Sequence, residues 1–142
     1  MKRKIFIVIG YGSIGKKHCN TLKKFNVDYY VISSQKNIKE KHIKYSEIKN
    51  INPDYVIIAS PTSKHLLDLM TVDKLIKNKV ILIEKPVFNK KTNFIPKNNK
   101  VFVAYNMRFH PIINYLKNLS KKNIIYNAEV YCGSYLPNWR KR

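Results

Sequence analysis

The chain has 142 residues, of which 44% are hydrophobic, and a formal net charge of +20 at pH 7. This length allows one domain, or one domain and part of a second. No apolar run approaches the ~20 residues that span a bilayer, and the first residues lack a signal-peptide pattern, so we expect neither a membrane segment nor secretion. Cys19 and Cys132 stand without a C-x-x-C pattern, which suits a reducing, cytoplasmic location.

The positive charge is spread over the whole chain. Lysines occur throughout, together with many asparagines and isoleucines, and only four residues are arginine. We therefore interpret the charge as solvated surface lysines, which can steer an anionic ligand towards a site. The alternative is a basic nucleic-acid-binding module, which requires a salt-sensitive affinity for DNA or RNA.

The stretch from Lys4 to Lys17 predicts a buried strand, a glycine turn and the start of a helix. The strand is a short apolar run rich in β-branched residues, typical of a parallel strand covered on both faces. Gly10–Gly15 (GYGSIG) fits G-x-G-x-x-G, whose glycines permit a tight turn, close approach to a pyrophosphate and close helix packing. The same letters begin a P-loop, but that motif needs Ser or Thr where Lys17 stands.

The predicted helix runs over 13–25, and a second strand follows over 28–33. His18 and Cys19, which are adjacent within this helix, are expected to be helix surface or packing residues and not metal ligands. Asp28 is acidic, but it begins the second strand, ~16 Å from the carboxyl edge where a ligand would lie. Ser33 and Ser34, followed by Lys36, stand at that edge and suit a 2′-phosphate better than ribose hydroxyls. This pattern favours NADP over NAD.

A third strand is predicted over 54–59, and Ser60 and Pro61 break it at the carboxyl edge. Thr62 or Ser63 can cap the next helix, which is predicted to run through residue 76. His65 would lie in the first turn of that helix and face the crevice at the edge of the sheet.

The fourth strand, 80–83, ends in Glu84-Lys85-Pro86. Because proline restricts the residue before it, Lys85 would be held rigidly at the carboxyl end of the strand, before a bond that proline allows to be cis. A polar connection leads to a fifth strand over 101–105 and a helix from about residue 112. Alternation over 124–131 predicts one more strand, which nothing later in the sequence can pair with.

This order of strands and helices predicts an α/β protein with a Rossmann-type, doubly wound parallel sheet. We assign 1–105 to a NAD(P)-binding domain. We assign 106–142 to a linker helix and the first strand of a truncated α+β substrate domain.

Four motifs in this order resemble the glucose–fructose oxidoreductase / inositol dehydrogenase / MocA family of NAD(P)-dependent sugar oxidoreductases. They are GYGSIGKKH (10–18), ASPTSKH (59–65), EKPV (84–87) and AYNMRFHP (104–111). A further stretch, GSYLPNWR (133–140), is similar to the start of the substrate domain in bacterial members linked to surface-sugar biosynthesis. The resemblance covers essentially the whole chain.

The resemblance implies residues that contact the nicotinamide cofactor, in addition to Ser33 and Ser34. They are Gly10, Tyr11, Gly12, Ser13, Ile14, Gly15, Ser60, Pro61, Thr62, His65, Glu84, Asn106 and Arg108. It implies that Lys85 is the catalytic residue of this set, contacting a sugar or nucleotide-sugar substrate near the nicotinamide. There Lys85 could stabilise a developing alkoxide or join a proton relay, while a sugar carbon gives a hydride to the nicotinamide. No metal is implied.

The length departs from the family pattern. Family members are typically more than twice as long, and a later segment with Asp and His supplies their main acid/base, which His110 does not match. We therefore expect an amino-terminal fragment that binds cofactor and does not turn over sugar alone. One chain of a split oxidoreductase is the alternative. The identity of the sugar and any homo-oligomer stay open, and the unpaired strand at 124–131 is an expected site of aggregation or of pairing with a partner.

Overall fold

The computed structural model describes residues 2–131 and Gly133. The chain divides into two compact units, and the division falls between Tyr105 and Asn106. Each unit is described by itself below.

The first unit contains a five-stranded parallel sheet with the order β2-β1-β3-β4-β5. The strands are β1 (Ile5–Ile9), β2 (Asp28–Ile32), β3 (Tyr55–Ile58), β4 (Val80–Ile83) and β5 (Lys100–Val103). The predicted Rossmann-type α/β fold is confirmed. The chain runs from β1 outward to β2 and then returns to the other side of β1 to form β3, so the strand order reverses between β1 and β3. Open α/β sheets bind their ligands at this switch point.

Helices cover both faces of the sheet. They are α1 (Ser13–Leu22), a 3₁₀ turn (Tyr45–Glu47) that continues into α2 (Ile48–Ile51), and α3 (Thr62–Leu75). Alternation along β1 divides the core, because Ile7 packs in one cluster with Leu69 of α3, whereas Val8 packs in another with Cys19 and Leu22 of α1. Each fully buried aliphatic side chain contributes about 1.5–3 kcal/mol. The alternating pattern thus fixes β1 between two helical layers.

The start of α3 differs from the prediction. Thr62 is already helical and Pro61 occupies the capping position, without a side-chain hydrogen bond. The predicted cap by Thr62 or Ser63 is therefore wrong, because both residues lie inside the helix.

The connection between β4 and β5 contains no helix in this structure. It is anchored by Asp73 of α3, which is only 4% exposed. The Asp73 carboxylate accepts hydrogen bonds from the backbone N–H groups of Lys97 (3.0 Å) and Asn98 (3.2 Å) and from the side-chain amide of Asn99 (2.9 Å). A buried carboxylate thus accepts the backbone N–H groups of an irregular segment. A local sequence pattern does not indicate this contact.

The second unit contains a 3₁₀ turn (Asn106–Phe109) and α4 (Pro111–Lys122). Pro111 takes a first-turn position, where a backbone N–H is not needed, and the His110 side chain accepts a hydrogen bond from the N–H of Ile112 (3.3 Å). The predicted helix is confirmed. No helix in the described part of the chain is long and apolar enough to cross a bilayer.

The predicted strand over 124–131 is wrong. The structure shows no regular secondary structure over these residues, although their sequence alternates. A strand needs a neighbouring strand to receive its hydrogen bonds, and no strand among the described residues pairs with this segment. The GSYLPNWR motif, apart from Gly133, lies outside the described residues.

Candidate functional site

A crevice of about 790 Å³ opens at the carboxyl ends of β1, β2 and β3. Its walls are the glycine turn after β1, the loop after β2 and the loop that leads from β3 into α3. Nine of the predicted cofactor residues line it: Gly10, Tyr11, Gly12, Ser13, Ile14, Ser33, Ser34, Ser60 and Pro61. The structure brings these residues together at the switch point, and their contact with a cofactor stays a prediction.

The three glycines of the turn have different surroundings. Gly10 has φ +96°, and a Cβ atom placed on it would lie 2.5 Å from the backbone nitrogen of Ser60. A Cβ on Gly15 would lie 2.0 Å from the carbonyl oxygen of Gly10, whereas a Cβ on Gly12 would meet nothing within 4 Å. Gly10 and Gly15 therefore allow the turn to close, and Gly12 leaves open space beside the crevice. Gly15 itself is buried and does not line the crevice.

The start of α1 has backbone N–H groups without helical partners. The first helical hydrogen bond runs from the N–H of Lys16 to the carbonyl oxygen of Gly12 (2.9 Å), so the N–H groups of Ser13, Ile14 and Gly15 precede it. Gly12 provides no side-chain cap, and the first turn of α1 contains no acidic residue. This helix start can accept an anion, because free N–H groups and the positive end of the helix dipole coincide there.

Two basic residues line the crevice beside Ser33 and Ser34. They are His42 and Lys44, and the sequence analysis did not identify them. Residues 41–43 run parallel to β2 through a bridge between Val31 and His42. The His42 ring lies 2.9 Å from the carbonyl oxygen of Ser33 through Nε2. Alternate residues of an extended segment point to the same side. The two-residue spacing of His42 and Lys44 was therefore the sequence signal that both side chains could line one wall.

Glu40 is the only acidic residue between 33 and 46, and it does not line the crevice. Its carboxylate accepts hydrogen bonds from the Lys23 ammonium (2.7 Å) and from the hydroxyls of Tyr11 (3.1 Å) and Tyr29. Hydrogen bonds from Lys23 and Tyr29 lower the pKa of Glu40. Burial and the hydrogen bond to Glu40 raise the pKa of Tyr29 to about 12. A local sequence pattern does not reveal this cluster, because its members are up to 29 residues apart.

A buried carboxylate forms part of the wall on the β3 side. Asp68 of α3 is 6% exposed and accepts hydrogen bonds from the hydroxyls of Ser60 and Tyr45, the latter at 2.7 Å. Burial and the Asp68 carboxylate raise the pKa of Tyr45. Both hydroxyls are thereby fixed at the crevice. The sequence signal for this buried acceptor was the position of Asp68, an acidic residue on the apolar face of α3.

His65 does not face the crevice, and that prediction is wrong. Its side chain is 1% exposed, and its ring lies between three backbone carbonyl oxygens. Nε2 lies 2.8 Å from the oxygen of Ser60, and Nδ1 lies 3.0 and 3.1 Å from those of Val87 and Pro86. The ring is turned inward, where it lies between the loop after β3 and the turn after β4.

Glu84 and Lys85 follow β4 at the same edge of the sheet, outside the lining of the crevice. Glu84 pairs with His18 of α1 at 2.8 Å, and its second oxygen accepts the N–H of Lys85 (3.3 Å). The side chains of His18 and Glu84 are only 23% and 16% exposed. His18 therefore connects α1 to this turn, a role that the sequence analysis did not predict. Lys85 is exposed, and the bond to Pro86 is cis.

The remaining predicted residues lie elsewhere. Thr62 begins α3 and does not line the crevice. Asn106 and Arg108 belong to the 3₁₀ turn of the second unit and are exposed. The contacts predicted for these three residues, and those of Glu84 and Lys85, stay predictions.

Cys19 is buried against the sheet, as the sequence analysis expected of a packing residue. Burial and the nearby Glu40 carboxylate raise the pKa of its thiol to about 11. Among residues 2–131, no group of three His, Cys, Asp or Glu side chains is placed to hold a metal ion.

Comparison with solved structures identifies the architecture. The WlbA dehydrogenase from Bordetella pertussis, in complex with NADH and UDP-GlcNAcA, matches with a TM-score of 0.67 and 13% identity, over 85% of this chain and 42% of that one. The fold is that of these dehydrogenases. A scan against family models and a search of curated proteins found no match.

Two further neighbours have the same architecture. The apo scyllo-inositol dehydrogenase from Lactobacillus casei matches with a TM-score of 0.69 and 18% identity, over 85% of this chain and 42% of that one. A probable dehydrogenase from Thermotoga maritima matches with a TM-score of 0.63 and 25% identity, over 83% and 41%. The chain thus spans about two fifths of the length of these neighbours. The resemblance to the glucose–fructose oxidoreductase family is confirmed at the level of the fold.

Proposed function

We propose that this chain is the NAD(P)-binding portion of a sugar or nucleotide-sugar oxidoreductase of the glucose–fructose oxidoreductase / inositol dehydrogenase / MocA family. The observation that carries the proposal is the crevice at the switch point, with the open position at Gly12 and the free start of α1. Residues 1–105 would form the cofactor domain, and 106–142 a linker helix and the start of a substrate domain.

The glycine turn fits a pyrophosphate. Gly12 has no side chain to block its approach, and a Cβ there would occupy open space. The N–H groups of Ser13, Ile14 and Gly15 would donate to the phosphate oxygens, and no acidic side chain of the first turn would repel them. The role of these residues is to hold the dinucleotide, which supplies the hydride-accepting nicotinamide when bound.

The loop after β2 supports NADP as the preferred cofactor. Ser33, Ser34, His42 and Lys44 would surround the ribose 2′ position with donors, whereas the acidic Glu40 is engaged elsewhere. A carboxylate beside Ser33 and Ser34 would bind ribose hydroxyls and repel a 2′-phosphate. The described lining has none at that position, since its carboxylate, Asp68, lies on the β3 side, and this favours the phosphate.

The turn after β4 would bring Lys85 to the substrate. Hydride loss from a sugar carbon leaves a proton on its hydroxyl. The Lys85 ammonium would stabilise the developing alkoxide, or Lys85 in its neutral amine form would receive that proton through a relay. Glu84, held by His18, would fix the direction of this turn. The family resemblance assigns Asn106 and Arg108 to the residues that contact the cofactor.

A fluorescence titration of the purified 142-residue protein with NADPH and NADH tests the proposal. We expect saturable binding, tighter for NADPH, that G12A weakens at least about tenfold, equivalent to about 1.4 kcal/mol. G12A is expected to fold, because its methyl group would meet open space. No saturable binding of either cofactor would contradict the proposed function.

The substrate is proposed to be a sugar or nucleotide sugar in surface-polysaccharide or glycan biosynthesis. The UDP-GlcNAcA bound by the WlbA dehydrogenase supports this class. We propose that turnover needs residues besides those described, because the chain spans only 42% of that dehydrogenase. Sugar-dependent reduction of NADP⁺ by the purified chain would refute this part alone.

A split oxidoreductase is the second candidate, in which this chain works with a complementary chain. The supporting observation is the exposure of aliphatic side chains on α4, from 38% at Ile113 to 62% at Ile112. Coexpression with the adjacent coding sequence tests it, and failure of the two products to copurify would count against it.

A further inference from the structure

Glu40 joins the glycine turn, β2 and Lys23, which follows α1. We propose that Glu40 is a specificity-positioning residue, which anchors the loop after β2 so that its cationic wall receives the 2′-phosphate of NADP(H). This inference rests on the proposed function and deepens it, because it names a residue that selects between the two nicotinamide dinucleotides without contacting them.

The contacts of Glu40 come from three separate parts of the chain. Tyr11 belongs to the glycine turn and Tyr29 belongs to β2. Lys23 is the residue that directly follows α1. One oxygen of Glu40 accepts from Tyr11 and Lys23, and the other accepts from Tyr29. The Glu40 side chain is 11% exposed, so these bonds are largely shielded from water. Charge-assisted hydrogen bonds of this kind are about twice as strong as neutral ones.

The residues on either side of Glu40 are fixed against the same layer. Ile38 packs into the cluster formed by Val8, Cys19 and Leu22, on the α1 face of the sheet. Two residues after Glu40, the backbone at His42 pairs with Val31 of β2. Glu40 thus lies between two attached points and adds a third anchor, two residues before His42 and four before Lys44.

The two cofactors differ at the 2′ position of the adenosine ribose, which this loop would surround. Their pyrophosphates are identical and would meet the glycine turn in the same way. The additional phosphate of NADP(H) would meet the loop after β2, where Ser33, His42 and Lys44 line the crevice. Loosening the loop should therefore weaken NADPH binding more than NADH binding. General destabilisation of the domain would weaken both equally.

The test compares the ratio of the two dissociation constants in wild type, E40Q and D28N. The D28N control removes one carboxylate at the end of β2 that lies away from the crevice, where the Asp28 side chain pairs with the exposed Arg3 at 3.9 Å. We expect E40Q to raise the Kd for NADPH about fivefold and the Kd for NADH less than twofold. Both dissociation constants should be unchanged in D28N. A fivefold loss of affinity is about 1 kcal/mol, a typical hydrogen-bond contribution. Y29F removes one donor without changing the charge, and a smaller shift in the same direction is expected.

Each outcome decides a separate point. Equal weakening of both cofactors, or an unchanged ratio in E40Q, would overturn the positioning role. If E40Q does not fold, Y29F decides, and an unchanged ratio there overturns the role. Tighter binding of NADH than NADPH by wild type would overturn the inference while leaving cofactor binding intact. Absence of binding to both cofactors by wild type would overturn the proposed function itself.

Discussion

The carboxyl edge of the sheet has two halves. Polar groups are open to a ligand in the half formed by β1, β2 and β3, whereas they are paired within the protein in the half at β4. At the ends of β1, β2 and β3, the helix start at Ser13 and the wall formed by His42 and Lys44 line an open crevice. At the end of β4, the carbonyl oxygens of Pro86 and Val87 face the buried His65 ring, and Glu84 is paired with His18. The open half can receive a ligand, and the closed half can hold a side chain in a fixed place. Hydride-transfer enzymes need both properties side by side.

The largest expected effect is within the glycine turn. G15A would place a methyl group 2.0 Å from the carbonyl oxygen of Gly10, so the turn must open or α1 must move. We expect a loss of about 3 kcal/mol in the free energy of unfolding, as for a severe overpacking substitution. Urea denaturation followed by circular dichroism measures it.

G12A is the matched control, because its methyl group would meet nothing within 4 Å. It should unfold within about 0.5 kcal/mol of wild type, as exposed substitutions usually do. Equal stability of the two variants would show that Gly15 is not needed for packing of α1 against the turn.

The closed half predicts the next largest effect. H65A leaves the carbonyl oxygens of Ser60, Pro86 and Val87 without the ring and opens a cavity, because His65 is 1% exposed. We expect a loss of about 2–3 kcal/mol in the free energy of unfolding, typical of unsatisfied buried groups. H42A, which removes an exposed ring from the open half, should cost less than about 1 kcal/mol in the same urea experiment. Similar losses in both variants would contradict the distinction between the two halves.

The sequence predicted the open half better than the closed half for a physical reason. The strand–glycine–helix pattern at 4–17 is local, and so is the apolar run at 54–59, because burial and turn geometry act on neighbouring residues. The pair His18–Glu84 joins residues 66 apart, and His65 contacts Val87 across 22 residues. Such contacts depend on topology. The strand prediction from the alternation at 124–131 was wrong for the same reason, since a strand forms only with a partner strand.

The His18–Glu84 pair should contribute less than His65, because its side chains remain 23% and 16% exposed. A double-mutant cycle with H18Q and E84Q is expected to give a coupling free energy of about 1 kcal/mol, above that of most exposed ion pairs. Urea denaturation at pH 6 is the measurement. Additive effects of the two substitutions would show that the pair does not connect α1 to the turn after β4.

The smallest effect concerns Glu40, on the α1 side of the open half, and it depends on pH. Hydrogen bonds from Lys23 and Tyr29 hold the pKa of Glu40 below its ordinary value in the folded protein. The unfolded chain then binds the proton more readily, so folding stability rises with pH until the ordinary glutamate pKa of about 4.3 is passed. The contribution is fully present above that pH and is lost as the pH falls through the lower, folded value. Because the cluster is partly open to water through Lys23, we expect it to be under about 1 kcal/mol. Urea midpoints between pH 3 and 6 should therefore change less in E40Q than in wild type, whereas D28N should follow wild type. Parallel profiles for all three proteins would show that Glu40 does not anchor its loop through charge.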